Sequence, residues 1–337
     1  MATRRTPKEP DQGGGFYTAR VGGRRTNLAL LVLLGVAFLT GWLAFAFFSI
    51  PARAALLFHS AAGFAILLLL PWKSVIARRG LRQPRPARWA SLVFAALILI
   101  SLAAGLAHSL GKPWPYFRDL TAMEFHVGAA LAAIPFFVWH VLSRPAKPRR
   151  TDLSRRALLR GGFLGAGALA LAAVPGASRR LTGSYRLDSV PGTQWMFDPV
   201  PVLDSERWRL LTGGHEWTYA DLAAFDDRLR AVIDCTGGWY CEQEWEGVRL
   251  SRLVHPAPGD LSIVVRSATG YSRRFDLRAL DNLLLASRMA GAALLPENGF
   301  PIRLVAPGER GFWWVKWVVE VRAEPLPAWW QPPFPLQ

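Results

Sequence analysis

The sequence predicts a multi-domain chain: an all-α transmembrane four-helix bundle, a fifth helix after it, then an α+β domain. Three observations predict this. Four apolar runs, 27–50, 54–72, 89–108 and 121–142, each come close to or exceed the ~20 residues that cross a bilayer. Three basic segments, 1–26, 72–88 and 143–160, flank those runs and together account for the whole formal charge of +16. Beyond residue 178 the long apolar runs stop, and short β-branched segments alternate with Gly and Pro.

The bundle comes first. Residues 1–26 read as a cytoplasmic tail and 27–142 as the membrane domain. Pro51-Ala52-Arg53 is the whole link between the first two runs, so they form a tight hairpin. Lys and Arg concentrate in the tail and in the 73–88 loop, which places both on the cytoplasmic side of an inner membrane. The charge is thus a topology signal rather than a nucleic-acid footprint, and nucleic acid is excluded as a partner. Membrane lipid is the expected one.

A weak repeat lies inside the bundle. His59-Ser60-Ala61-Ala62-Gly63 opens the second run, and His126-Val127-Gly128-Ala129-Ala130 opens the fourth. Both histidines lie a few residues inside the outer end of their helix. That matched depth suits two axial ligands of one b-type haem. His108, at the outer end of the third run, is an alternative to either. His140 follows His126 by fourteen residues, about 21 Å along a helix. The equivalent position after His59 is Lys73, so a second haem lacks a ligand. The competing reading is that these histidines form helix-to-helix hydrogen bonds.

Residues 143–177 form a basic linker. Ser154-Arg155-Arg156-Ala157-Leu158-Leu159-Arg160 resembles the twin-arginine export signal, with Leu158 where that signal has an aromatic. Arg155-Arg156 also reads simply as the end of a cytoplasmic loop. The short apolar run 161–174 suits a signal core or a fifth, anchoring helix. Export would place residues 178–337 on the extracytoplasmic side.

In that last segment the pattern predicts strands over 208–211, 231–235, 261–266, 271–276, 302–306 and 313–322. It predicts a short helix over 218–225 and a second over 280–289. Val232-Ile233-Asp234-Cys235-Thr236-Gly237-Gly238-Trp239 brings a thiol to the end of a β-branched run, where glycines release the backbone. Cys235 and Cys241 are too few for a disulfide framework. They either pair with each other or leave Cys235 as a metal-binding thiolate.

Downstream come Trp245-Glu246-Gly247-Val248-Arg249-Leu250, then Asn298-Gly299-Phe300-Pro301-Ile302-Arg303, then Val315-Lys316-Trp317. A cysteine followed by W-x-G-x-x-L, H-G-x-P-x-R and V-K-W resembles the molybdopterin-binding domain of the sulfite oxidase family. The resemblance covers 185–325. It implies a sulfite-oxidase fold, a Mo-molybdopterin cofactor and Cys235 as the protein's molybdenum ligand. It gives Arg303 and Lys316 as contacts to the pterin or its phosphate, with Gly311 letting the backbone come close. Asn298 stands where the family has histidine. Trp239, Tyr240 and Trp245 would make an aromatic, neutral pocket, with the Tyr240 hydroxyl either near the metal or in the core. His215 and His255 are loop histidines that either relay protons or do nothing specific.

Thr236 to Tyr240 offers no arginine to grip an oxyanion, so sulfite chemistry does not carry over. What carries over is oxygen-atom transfer to or from a small oxo substrate, preferably reduction of an S- or N-oxide. Electrons would come from a quinone or other redox partner through the haem. The other class of reading is a membrane-anchored binding module or electron carrier that keeps the fold without the metal.

Overall fold

The computed structural model describes residues 13–46, 50–81, 88–110, 120–143, 145, 147–149, 152, 154–174, 180–192, 194 and 199–332. Part of the predicted tail, part of the 73–88 loop, most of the stretch between 110 and 120 and part of the stretch before 205 lie outside them. The described chain packs as two compact units. One comprises 1–41, 57–102 and 129–174; the other comprises 42–56, 103–128 and 175–337.

Five long helices come first: α1 (Gly13–Ala46), α2 (Ile50–Leu81), α3 (Arg88–Ser109), α4 (Ala122–Ser143) and α5 (Arg155–Ala172). Four segments, Gly23–Ala46, Arg53–Arg78, Arg88–Ser109 and Ala122–Ser143, are long and apolar enough to cross a membrane. Their outward residues are themselves apolar, as at Val32, Leu39, Leu92, Leu99, Leu131 and Ile134. A helix apolar on its outward face suits lipid rather than water. The helix α5 begins at Arg155-Arg156 and is not among the four.

In the first unit, the basic residues next to the spans are tied down. Arg24 donates to Asp152 at 2.6 Å and holds that carboxyl down to about 2. Lys73 donates to the Asn27 side chain at 2.9 Å.

The second unit carries two sheets. The strands are β1 (Tyr185–Arg186), β2 (Arg209–Thr212), β3 (His215–Thr218), β4 (Asp227–Asp234), β5 (Trp239–Arg249), β6 (Ser262–Ser267), β7 (Ser272–Asp276), β8 (Leu284–Met289), β9 (Ala292–Ala293), β10 (Arg303–Val305) and β11 (Val318–Glu324). One sheet runs β1-β5-β8-β10, with β4 also on β5 and β9 also on β8. The other runs β3-β2-β11-β6-β7. The short helix α6 (Tyr219–Ala223) opens with a capping box between Thr218 and Asp221.

The helix predicted over 280–289 is instead strand β8. It lies between β5 and β10, and Leu284 to Ser287 are all buried. A strand covered on both faces shows no polar alternation, which removes the period that separates strand from helix. The strand expected from 313 starts at Val318. Gly311–Trp313 forms a 3-10 turn first, and Trp317 takes a positive φ of 54°.

The glycine of the W-E-G stretch has a geometric cause. The register of β5 on β8 slips between Glu246 and Gly247, and a Cβ at Gly247 would stand 2.0 Å from the Leu285 carbonyl oxygen. Gly247→Ala should therefore cost about 3 kcal/mol of stability through forced strand separation. Chemical denaturation of the solubilised chain measures it.

Candidate functional site

The hairpin of β4 and β5 delivers Cys235. Its last register pair is Asp234 with Tyr240, and the turn closes through Cys235 N–H to the Trp239 carbonyl (2.8 Å) and Gly238 N–H to the Cys235 carbonyl (3.1 Å). Gly238 has a φ of 88°, which favours glycine. The His108 ring leaves no other choice, because a Cβ there would come within 2.4 Å of the ring. His108 also sits 3.3 Å from the Gly183 carbonyl through Nε2, and Thr121 reaches the Gly237 carbonyl at 3.4 Å. So the C-terminal end of α3 and the residue before α4 touch the turn that carries the thiol.

The Gly237 N–H donates to Cys235 Sγ at 3.4 Å. Burial pushes the Cys235 thiol up; that hydrogen bond and the charges of Lys316 and Arg310 oppose it. Cys235 and Cys241 are both free thiols, so the pairing reading falls away. Cys241 is buried on β5, where it accepts a hydrogen bond from the Gln243 side chain.

Behind the thiol lies a polar cluster that the motifs did not mark. Asp234 is 2% exposed and Arg310 is 4% exposed, and the two form a direct ion pair. Thr182 and Ser184 each donate to Asp234 at 2.7 Å, and Arg180 stands 3.9 Å from it. Arg310 also donates to the Phe45 carbonyl in the last turn of α1, where Phe45 stacks on Phe312. No spacing signal identifies Arg180 or Arg310. A hint was present in Asp234, a charge inside a β-branched run.

Arg303 opens β10 and is 1% exposed. Its guanidinium lies between the Trp245 and Trp314 rings, at 5.1 and 5.8 Å. It donates to the carbonyls of Asn298 (3.0 Å) and Trp314 (3.5 Å), while its Nε has no partner. Burial lowers its pKa to about 10, a shift that the Cys235 sulfur opposes once ionised. A buried cation without a carboxylate is an expensive arrangement that an anionic ligand would relieve.

Asn298 is buried beside it with an unpartnered Oδ1. Gly299, at a φ of 106°, lets the chain pass within 2.9 Å (measured from an added Cβ) of the Arg303 side chain and 3.2 Å of that of Lys316. Lys316 Nζ donates to Gln194 (2.9 Å) and to the Glu297 carbonyl (2.7 Å).

Other expected site residues fall differently. Gly311 makes its close approach to Cys235 itself: an added Cβ would sit 2.9 Å from Cys235 Cα and 3.1 Å from the Asp234 carbonyl. Its lack of a side chain is required by the turn, before any cofactor is considered. The neutral aromatic pocket is corrected. Trp245 is a core residue under Arg303, and Arg180 stands 5.2 Å above the half-buried Tyr240 ring. Trp239 is buried, but its indole N–H has no partner, and it flanks the same glycine, Gly237, as Cys235 Sγ. His215 packs edge-on to Trp217, and His255 is exposed in a loop.

The membrane histidines meet glycines. His59 packs on Gly41, with Nδ1 2.8 Å from the Ala37 carbonyl. His126 packs on Gly105. The two belong to different compact units. His140 contacts Ser91 (3.2 Å) and the Phe94 ring (5.6 Å). No group of three metal-binding side chains occurs among the described residues.

A strand-end thiol, a buried guanidinium without a carboxylate and two orphaned N–H groups fit an anionic cofactor bound through sulfur. Residues 197–330, about two-fifths of the chain, match the family profile described as the oxidoreductase molybdopterin binding domain. They form a molybdenum-cofactor oxidoreductase domain. Among solved structures, the sulfane dehydrogenase SoxCD from Paracoccus pantotrophus is similar at 26% identity with a TM-score of 0.35. The match covers 38% of this chain and 40% of that chain.

The raised Cys235 thiol has a measurable consequence. In cofactor-free protein, alkylation of Cys235 should be slow at neutral pH and climb only at a higher pH than for an ordinary thiol. Mass spectrometry against a Cys235→Ser control separates it from Cys241.

Proposed function

We propose that this chain is a membrane-bound, molybdopterin-dependent oxidoreductase that performs oxygen-atom transfer, running toward reduction of an S-oxide or N-oxide. The observation that carries the reading is the proximity of a turn-borne thiol and a buried, carboxylate-free arginine. When bound, Mo-molybdopterin supplies the oxo chemistry by cycling its metal between oxidation states.

The protein's part is to bind, orient and exclude water. Cys235 would hold the metal as a thiolate, after losing its proton. Arg303, with Asn298 and Lys316 beside it, would take the anionic end of the pterin. The buried Trp239 would offer its N–H on the thiol side. Arg180 over Tyr240 puts a cation and a phenol together, a pairing suited to the polar oxygen of an S–O or N–O bond.

Electrons would enter from the quinone pool through a b-type haem on His59 and His126. The His59 Nδ1 contact to a carbonyl supports this, because a metal-binding imidazole is commonly oriented by such a contact on its other nitrogen. The basic segments and the Ser154-Arg155-Arg156 motif support an extracytoplasmic catalytic domain in an inner membrane. The alternative is a metal-free binding module or electron carrier on the same scaffold.

Metal analysis of solubilised protein tests the choice. About one molybdenum per chain is expected; none from cofactor-replete cells would favour the module. Cys235→Ser should abolish oxo transfer while leaving any b-type difference spectrum intact, and unchanged turnover would sink the enzyme reading. Arg303→Met should lose the pterin, yet its cofactor-free form should unfold no earlier than the parent's, because a buried unpaired charge has gone. Pterin fluorescence after acid release and a thermal melt read the two effects.

A further inference from the structure

The segment after β11 is held to the sheet by several hydrogen bonds, and what it presents is two indoles. β7 is an edge strand of its sheet. The side chain of Gln331 lies against that edge as a strand would. Its Oε1 accepts from Arg274 N–H at 3.0 Å, and its Nε2 donates to the Arg274 carbonyl at 2.6 Å. Nε2 also donates to the Ala328 carbonyl at 2.7 Å. Arg274 donates to the Trp330 carbonyl, and Arg273 donates to the Pro332 carbonyl at 2.9 Å. Capping an edge explains Gln331. It does not explain Trp329 and Trp330, which are 74% and 60% exposed and meet edge-on at 5.7 Å.

Their neighbours lead back to the end of a span. Arg273, which holds Pro332, lies 4.9 Å over the Phe312 ring. Phe312 stacks on Phe45 at 6.2 Å with the rings 5° from parallel. Phe45 is the next-to-last residue of the span Gly23–Ala46. The tail is thus pinned a few side chains from the point where α1 leaves the apolar layer. Tryptophan, with an apolar ring system and one N–H, partitions to the headgroup level of a bilayer.

We propose that Trp329 and Trp330 sit in the headgroup region of the membrane in which α1 ends, and orient the molybdopterin domain on it. The occupant is a phospholipid surface, and the inference rests on the reading of the four helices as spans. Continuity with the Phe45–Phe312 contact supports lipid over a second copy of the chain.

The test uses the full chain at one copy per nanodisc and compares it with Trp329→Phe/Trp330→Phe. Two quenchers report position: phospholipid brominated near the acyl carbonyl, and aqueous iodide. The double variant should lose a component worth two of the fifteen tryptophans. That component should be quenched by bromolipid and largely spared by iodide. If the lost component is quenched by iodide and untouched by bromolipid, or is reached by neither, the proposal is overturned; the last result points to burial of the two indoles within the chain itself. Trp42, Trp72, Trp89 and Trp139 lie within the spans and must be bromolipid-quenched in both proteins. If they are not, the span reading itself fails and takes this inference with it.

Discussion

Cys235 is useful only if the residue before it stays put. Asp234 and Arg310 hold each other with both charges out of water, and each is further tied: the carboxylate by Thr182 and Ser184, the guanidinium by a carbonyl of α1. Either charge alone at such a site would cost about 3–5 kcal/mol. Because both are present and each makes further hydrogen bonds, the pair fixes the hairpin tip. Gly311 then crosses directly over Cys235, and Gly238 turns beneath His108. The sulfur is set by backbone contacts on two sides and by a buried ion pair on the third.

The second charge arrangement works in the opposite sense. Arg303 has aromatic faces and carbonyl oxygens but no carboxylate among the described residues. One cation has its carboxylate within the chain, and the other has none among the described residues. That difference separates scaffold from site more sharply than burial does, since both arginines are almost wholly enclosed.

Much of this was readable in the sequence, for identifiable reasons. The spans announced themselves by length, and the strands β6 and β7 by β-branched and aromatic content between glycines. Cys235, Arg303 and Lys316 stood in a recognisable order. What could not be read was anything fixed by long-range pairing. The strand β8 hid as a helix because both its faces are covered. The run after Gly238 was not among the predicted strands because its pairing partners, β4 on one side and β8 on the other, are fixed by the fold rather than by its own pattern. Arg310 comes 76 residues after the aspartate it neutralises, and Arg180 arrives from the lead-in, so no local spacing signals either. Gly247 was legible as a motif letter, but its cause, a slipped register against Leu285, was not.

Membrane proteins meet their own copies in two dimensions, at high local density and with limited freedom to tumble. A sheet that ended in bare amide and carbonyl groups would then invite lateral zippering with its neighbour. By folding the Gln331 amide back onto Arg274, the chain fills its own β7 rim at that position with a single side chain. Crowding can raise the number of encounters there without supplying a ready docking strand.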